Sequence, residues 1–236
     1  MTSDQLIVFD MDGVLVEVTE SYRDTVIATV KHFAGQQITR DLVQEYKNRG
    51  GWNNDWKLSQ QILRDLDIEI DYDTVVDRFK KIFWGNGTDG LILREKWIAK
   101  SGLLERLSDR YGIAIFTGRS REELESTLGR LASHLRFDPI VCTDDLVNGK
   151  PAPDGLFKVA ERAPGRKLHY IGDTVDDARS ARAAGVPFIG IAAKLQPRRE
   201  ELVRIFQAEG AGDILESINQ LDYILAPDGS TVSSDL

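Results

Sequence analysis

The chain has 236 residues, enough for one domain carrying an insertion or for two domains, and too few for three. An apolar fraction of 42% supports a real core, while 29% charged residues and only seven prolines exclude a low-complexity or collagen-like chain. A formal charge of −8 without any run of Lys and Arg makes the average surface repel phosphate polymers, so nucleic acid is not an expected partner.

The first strand is predicted at 6–9 (LIVF), and further short apolar runs follow at 113–116 (IAIF), 140–141 (IV), 168–171 (LHYI) and 187–191 (PFIGI). These runs are continuous rather than alternating, which suits strands covered on both faces. With amphipathic helices between the later ones, they predict a parallel α/β sheet, Rossmann-like and doubly wound. The interval between the first two strands is far longer than a crossover needs and reads as helix. Tyr22, Val26, Val30 and Phe33 form one stripe, Leu58, Ile62 and Leu66 a second, and Tyr72, Val75, Val76, Phe79, Ile82 and Phe83 a third. The expected organisation is therefore a core of residues 1–16 and 98–225, an inserted α-helical cap at 17–97, and a polar tail at 226–236. A helix from Ser120 to Ser133 opens on a capping box, Ser120 with Glu123, and another spans Val175–Ala184 before Gly185, which suits a left-handed stop.

No apolar run approaches the roughly 18 residues that begin to suggest a membrane span. The lone Cys142 has no partner for an intramolecular disulfide, and MTSDQLIVFD has neither the charge nor the apolar stretch of a secretory signal. Location in the cytoplasm is expected.

Chemistry-bearing residues recur where predicted strands end. Asp10 and Asp12 in FDMDGVL close the first strand, where two carboxylates facing one point need a cation or a raised pKa; taken alone, the segment also reads as a polar turn. Thr117 and Gly118 in IAIFTGRS offer a hydroxyl and free N–H groups at a helix start, a setting for phosphate oxygens. Arg119 beside them reads as a solvated or helix-start residue rather than a catalytic one, with a place at the rim of the site as the alternative. Lys150 in NGKPAPDGLF stands before two prolines, as a phosphate-neutralising ammonium or as a surface lysine in a turn. Asp173, Asp176 and Asp177 in GDTVDD crowd a strand end and a helix's first turn, where acids also favour the helix dipole. Their joint placement at the carboxyl edge of one parallel sheet, where open α/β sheets build their sites, favours function over independent turns.

FDMDGVL, FTGR, GKPAPD and GDTVDD resemble, in order, the four motifs of the haloacid dehalogenase superfamily, specifically the phosphatase branch with a helical cap inserted after the first motif. The resemblance covers nearly the whole chain. It implies a Mg²⁺-dependent phosphatase acting on a small phosphorylated metabolite. Asp10 would be the nucleophile that forms an aspartyl-phosphate and Asp12 the acid and base. Asp10, the Asp12 backbone carbonyl and Asp173 would hold the metal, and Asp177 would support the metal or orient Lys150. Thr117 and Lys150 would meet the phosphoryl oxygens. The superfamily's dehalogenases displace halide without a residue in the role of Asp12, so phosphoryl transfer is expected. A sugar phosphomutase of the same superfamily and a non-catalytic phospho-ligand-binding relative are the alternatives; a receiver-type signalling module is disfavoured by motif order and by the insertion.

The least generic stretch is KNRGGWNNDWKLS at 47–59, in which Arg49, Trp52, Asn53, Asn54 and Lys57 are candidates to contact the leaving group. The competing reading packs Trp52 and Trp56 into the helical core and spends the amides on helix caps. GNGTDG at 85–90 matches a dinucleotide fingerprint only in letters, because it follows a helix rather than a strand, and reads as a hinge. Asn86-Gly87-Thr88 is a glycosylation triplet that matters only in a secreted chain. His32, His134 and His169 lack metal-ligand spacing, so zinc is not expected. Sugar phosphates, phosphoglycolate and phosphorylated amino alcohols are candidate substrates.

Overall fold

A computed structural model describes residues 4–221; the predicted tail at 226–236 lies outside the described residues. Strand β1 (Gln5–Phe9) buries Leu6 to Phe9 without a break, as a central strand covered on both faces must. The chain then forms β2 (Val16–Glu17), which pairs antiparallel with β3 (Lys96–Trp97).

Between the two strands of this ribbon lie a π-helical turn at Thr19–Arg23, helices α1 (Asp24–Ala34), α2 (Arg40–Arg49), α3 (Asp55–Asp65) and α4 (Tyr72–Trp84), and a 3₁₀ turn at Leu91–Arg94. Val26, Val30, Leu58, Ile62, Val75, Phe79 and Phe83 share one core here. The third sequence stripe is narrower than its apolar letters suggest, since Val76 and Ile82 are only half-buried. The GNGTDG segment starts where α4 stops, with Gly85 at φ 57°.

The remaining elements alternate: α5 (Leu103–Ser108), β4 (Gly112–Phe116), α6 (Arg121–Leu131), β5 (Ile140–Val141), α7 (Asp154–Arg162), β6 (Lys167–Gly172), α8 (Val175–Ala184), β7 (Phe188–Ile191), α9 (Arg199–Ala208) and β8 (Asp213–Leu215). Six strands form a parallel sheet in the order β5-β4-β1-β6-β7-β8. Ile7, Phe9, Ile113 and Ile115 point to one face, with Leu103, Leu104 and Leu124. Leu6, Val8, Ala114 and Phe116 point to the other, with Leu156, Val175, Ala178 and Phe206. Helices on both faces make the fold the doubly wound α/β type expected.

The Ser120–Glu123 capping box is formed, and α8 ends at Gly185 with φ 67°. Because β4 and β6 flank β1 on opposite sides, strand order reverses at β1 and opens a crevice beyond the carboxyl ends of these three strands. No helix among the described residues is long and apolar enough to cross a membrane.

Candidate active site

The backbone fixes the first carboxylate before any side chain does. The Asp10 N–H donates to the Ile171 carbonyl at 2.8 Å, extending the β1–β6 ladder by one rung beyond the strand. The chain then turns at Gly13, whose φ is 70° and where any Cβ would run into the Asp173 carboxylate. Glycine there lets the loop after β1 lie directly against the loop after β6. On the other side the Thr117 N–H donates to the Val141 carbonyl at 3.0 Å, setting the turn into α6.

Asp10, Asp12, Gly118, Lys150 and Asp173 line one cavity of about 550 Å³, facing Tyr22, Arg23, Asn53 and Lys57 from the helical layer. Thr117 and Asp177 are buried just behind that lining. Lys150 Nζ sits 2.8 Å from Asp10 Oδ1 and 2.7 Å from Asp177 Oδ1. It also lies 4.7 Å from the centroid of the Phe116 ring. Asp177 is saturated: Oδ1 accepts from the Tyr170 hydroxyl at 2.6 Å, and Oδ2 accepts from the Thr174 hydroxyl at 2.6 Å and its N–H at 3.0 Å.

Burial pushes both strand-end carboxylates up. For Asp10 desolvation leads, Asp177 and Asp12 add to it and Lys150 opposes it, leaving a pKa of about 7. Asp173 is raised well above the carboxylate range, again chiefly by burial, with Arg23 opposing. Asp177 behaves the other way: burial works against ionisation, but Lys150 and the donors from Thr174 and Tyr170 outweigh it and lower the pKa. Burial likewise works against the Lys150 ammonium, and its two carboxylates overcome that and raise it.

Oxygens of Asp10, Asp173 and Asp177 lie within 4.8 Å of one another, the arrangement a metal ion needs. Three buried carboxylates have Lys150 between two of them and Arg23 3.6 Å from the third, so acidic groups outnumber the cations and a divalent cation would favour their charged forms. Asp173 Oδ1 is buried with no hydrogen-bond partner, and its Oδ2 has Arg23 at 3.6 Å. An orphaned buried carboxylate oxygen is costly, so these residues fit a hard cation. Asp177 has spent its lone pairs on Lys150, Tyr170 and Thr174, so Asp10 and Asp173 are the less saturated carboxylates of the three.

Arg119 requires a correction. It does stand just before α6 and at the cavity lining, but it is not solvated: it is the largest fully buried side chain of the described residues, at 2% exposure. It pairs with Asp12 at 2.6 Å and with Glu95 at 2.8 Å. The two partners come from the loop after β1 and from the residue before β3, so the sequence neighbourhood of Arg119 holds no sign of them. Glu95 and Arg23 were also missed, for the same reason: each is an isolated charge whose partner is remote along the chain.

The five candidates in the helical layer divide. Asn53 and Lys57 line the cavity, and Asn53 packs against Gly118, where a Cβ would collide with its amide. Asn54 borders the cavity, but its side chain caps α3, accepting from the N–H groups of Trp56 and Lys57 at 3.0 Å each. Arg49 pairs with Glu45 and stacks 4.9 Å over Tyr46, and Trp52 meets Tyr46 edge-on at 6.0 Å, both outside the lining. Accordingly, Asn54→Ala should cost about 1 kcal/mol of stability in chemical denaturation. Asn53→Ala should instead change relative kcat/KM among phosphate esters with little effect on melting; a uniform loss across esters would remove Asn53 from the specificity surface.

Residues 7–191 match the family model for haloacid dehalogenase-like hydrolases, a span that includes every motif just described. The chain belongs to that family. Its structural relatives include a Bacteroides fragilis protein assigned as a haloacid dehalogenase-like hydrolase, with a TM-score of 0.73 and 21% identity over 92% of this chain and 99% of the other. In sequence, it is 30% identical over 233 residues to the imidazoleglycerol-phosphate dehydratase of Phytophthora nicotianae, covering 94% of this chain and 50% of that protein. The chain thus spans about half the length of that relative. A Caldanaerobacter subterraneus protein assigned as a pyrophosphatase is 24% identical, covering 81% of this chain and 83% of that one.

Proposed function

We propose that this haloacid dehalogenase-like hydrolase is a Mg²⁺-dependent phosphatase of a small phosphorylated metabolite, working through an aspartyl-phosphate on Asp10. The observation that carries this reading is convergence: Asp10 and Asp12 after β1, Lys150 before α7 and Asp173 after β6 line one cavity at the point where strand order reverses. The helices between β2 and β3 act as a cap over that cavity.

In this reading an Asp10 carboxylate oxygen attacks phosphorus in line; the new O–P bond forms as the bond to the leaving oxygen breaks. Asp12 delivers its proton to that oxygen. In the second step water attacks the aspartyl-phosphate, the Asp10 O–P bond breaks, and the proton of the attacking water passes to Asp12. Lys150 meets the phosphoryl oxygens while Asp177, itself fixed by Tyr170 and Thr174, holds the ammonium in place. The Thr117 hydroxyl oxygen accepts from the Arg119 N–H at 3.2 Å, which leaves its own proton to donate to phosphate beside the Gly118 N–H. Mg²⁺ held by Asp10, the Asp12 carbonyl and Asp173 supplies positive charge where carboxylate and phosphate would otherwise repel.

The test is phosphate release from p-nitrophenyl phosphate, followed by a panel of sugar phosphates, phosphoglycolate and phosphorylated amino alcohols. The name of the Phytophthora relative adds an imidazole-bearing phosphate ester to that panel. EDTA should abolish turnover and excess Mg²⁺ restore it. Turnover indifferent to EDTA would sink the metal-dependent reading, and interconversion of sugar phosphates with slow net release would replace hydrolysis by mutase chemistry.

A further inference from the structure

The guanidinium of Arg119 is held on every side. Its Nε and Nη2 reach Asp12 Oδ1 at 2.7 and 2.6 Å. Nη2 and Nη1 reach Glu95 Oε1 and Oε2 at 2.8 and 3.3 Å, and Nη1 also donates to the Thr127 hydroxyl at 2.7 Å. That hydroxyl passes its own proton to Glu95 Oε2 at 2.6 Å, and the Tyr22 ring lies 4.9 Å from the guanidinium carbon.

Burying an arginine is expensive unless it is fully paired, and a planar fork is best paired by carboxylates. Glu95 and Thr127 take up Nη1 and Nη2 under the Tyr22 ring, and Asp12 is the partner of Nε. Glu95 is fully buried, so its carboxylate needs Arg119 as much as the reverse. Asp12 is different. Its side chain is 30% exposed and lines the cavity, so water could solvate its charge without help. Asp12 therefore does not need Arg119 in order to keep its charge, although Arg119 Nε needs Asp12; what the contact adds for Asp12 is restraint. One carboxylate oxygen is tied by two N–H groups, which fixes the rotamer and leaves the other oxygen, Oδ2, outside that contact.

We propose that Arg119 is a positioning residue for Asp12, anchored by Glu95, and that it aims the Asp12 carboxyl at the leaving oxygen of the substrate. The inference rests on the phosphatase reading for the role of Asp12. Glu95 immediately precedes β3, where the chain returns from the helical layer, so the anchor stands at one of the two connections between that layer and the sheet. The Arg119 side chain touches no reacting atom in this scheme and acts only through Asp12.

A leaving group that departs easily needs no proton, so a positioning defect is read by comparing esters rather than by absolute rate. The experiment measures kcat/KM, which reports the step that expels the phenol and not the hydrolysis of the aspartyl-phosphate common to all esters, for phenyl, p-nitrophenyl and dinitrophenyl phosphate with the Mg²⁺-loaded full chain. Arg119→Lys keeps the charge and loses the fork; it should lower kcat/KM roughly 100-fold on phenyl phosphate and only a few-fold on dinitrophenyl phosphate. Asp12→Asn should show the same selectivity, and the double variant should be no worse than Asp12→Asn alone. Glu95→Gln, which keeps the arginine and weakens its anchor, should reproduce the pattern in milder form.

Partial unfolding removes active protein equally for every ester, so the ratio of rates is insensitive to it. Equal losses on all three esters, or losses in the double variant that multiply, would overturn the inference and leave the phosphatase reading intact. A wild-type protein that hydrolyses none of them would instead remove the phosphatase reading, and this inference with it.

Discussion

Asp10→Asn should abolish phosphate release, by on the order of 10⁴-fold or more, while leaving the protein folded. The amide has nearly the same volume but no nucleophilic oxygen, and it cannot form the aspartyl-phosphate on which both half-reactions depend. Loss of activity through unfolding is separable from this by a stability measurement whose sign the site dictates. In the metal-free protein Asp10 is pushed up to about 7, mainly by burial, against an ordinary value of 3.8. Stability associated with such a group is fully present below the ordinary value and is lost as pH rises through about 7. The asparagine variant carries no such penalty. Without metal, its melting temperature relative to wild type should therefore climb between pH 4 and pH 8, and Mg²⁺ should stabilise wild type more than the variant. Residual turnover near the wild-type rate would remove Asp10 as nucleophile.

How much of this was visible in the sequence depended on whether the determining interaction was local. The strand runs at 6–9, 113–116 and 168–171 were legible because central parallel strands are apolar on both faces. The Ser120 capping box and Gly185 were legible because caps are set within a few residues. Strand β8, three residues with Asp213 at its start, borders the sheet and carries only the pair Ile214-Leu215, half-buried at Ile214, to announce it. Helix α2 is mostly polar, burying Val43, Gln44, Tyr46 and Asn48, so its stripe is weak.

The same distinction governs the site. Asp10, Asp12 and Asp173 are legible because they follow strands of one sheet, a placement that strand prediction already implies, and Lys150 because it stands in the connection from β5 to α7 at the same edge. Arg119 was misjudged because what decides its environment, Asp12 and Glu95, lies 107 and 24 residues away in sequence. Asn54 was offered as a substrate contact although it precedes α3 in the position an N-cap takes, and the helix-capping alternative is the one its side chain adopts.

The second large effect concerns Lys150. Its ammonium is 1% exposed and lies between Asp10 and Asp177. Lys150→Met preserves much of the side chain's bulk against Phe116 and Tyr170 but strands two buried carboxylates. Breaking a buried pair from one side costs about 3–5 kcal/mol. Lys150 itself stays charged at any pH below its raised pKa, so the pH dependence of the loss comes from the acids. With Lys150 present, Asp177 is held below its ordinary 3.8, against the pull of burial; that contribution is present above 3.8 and disappears as pH falls through the lowered value. The methionine variant forfeits it, so its deficit should be largest at pH 7–8 and narrow toward pH 4, where the stranded carboxylates take up protons. Adding Asp177→Asn to Lys150→Met should recover part of the lost stability by removing one unpaired charge. It should not recover turnover, since no ammonium then meets the phosphoryl oxygens. Thermal melts across pH, run with phosphate-release assays on both variants, check this; a deficit independent of pH, or a double variant that regains activity, would show that Lys150 serves neither the acids nor the phosphate as argued.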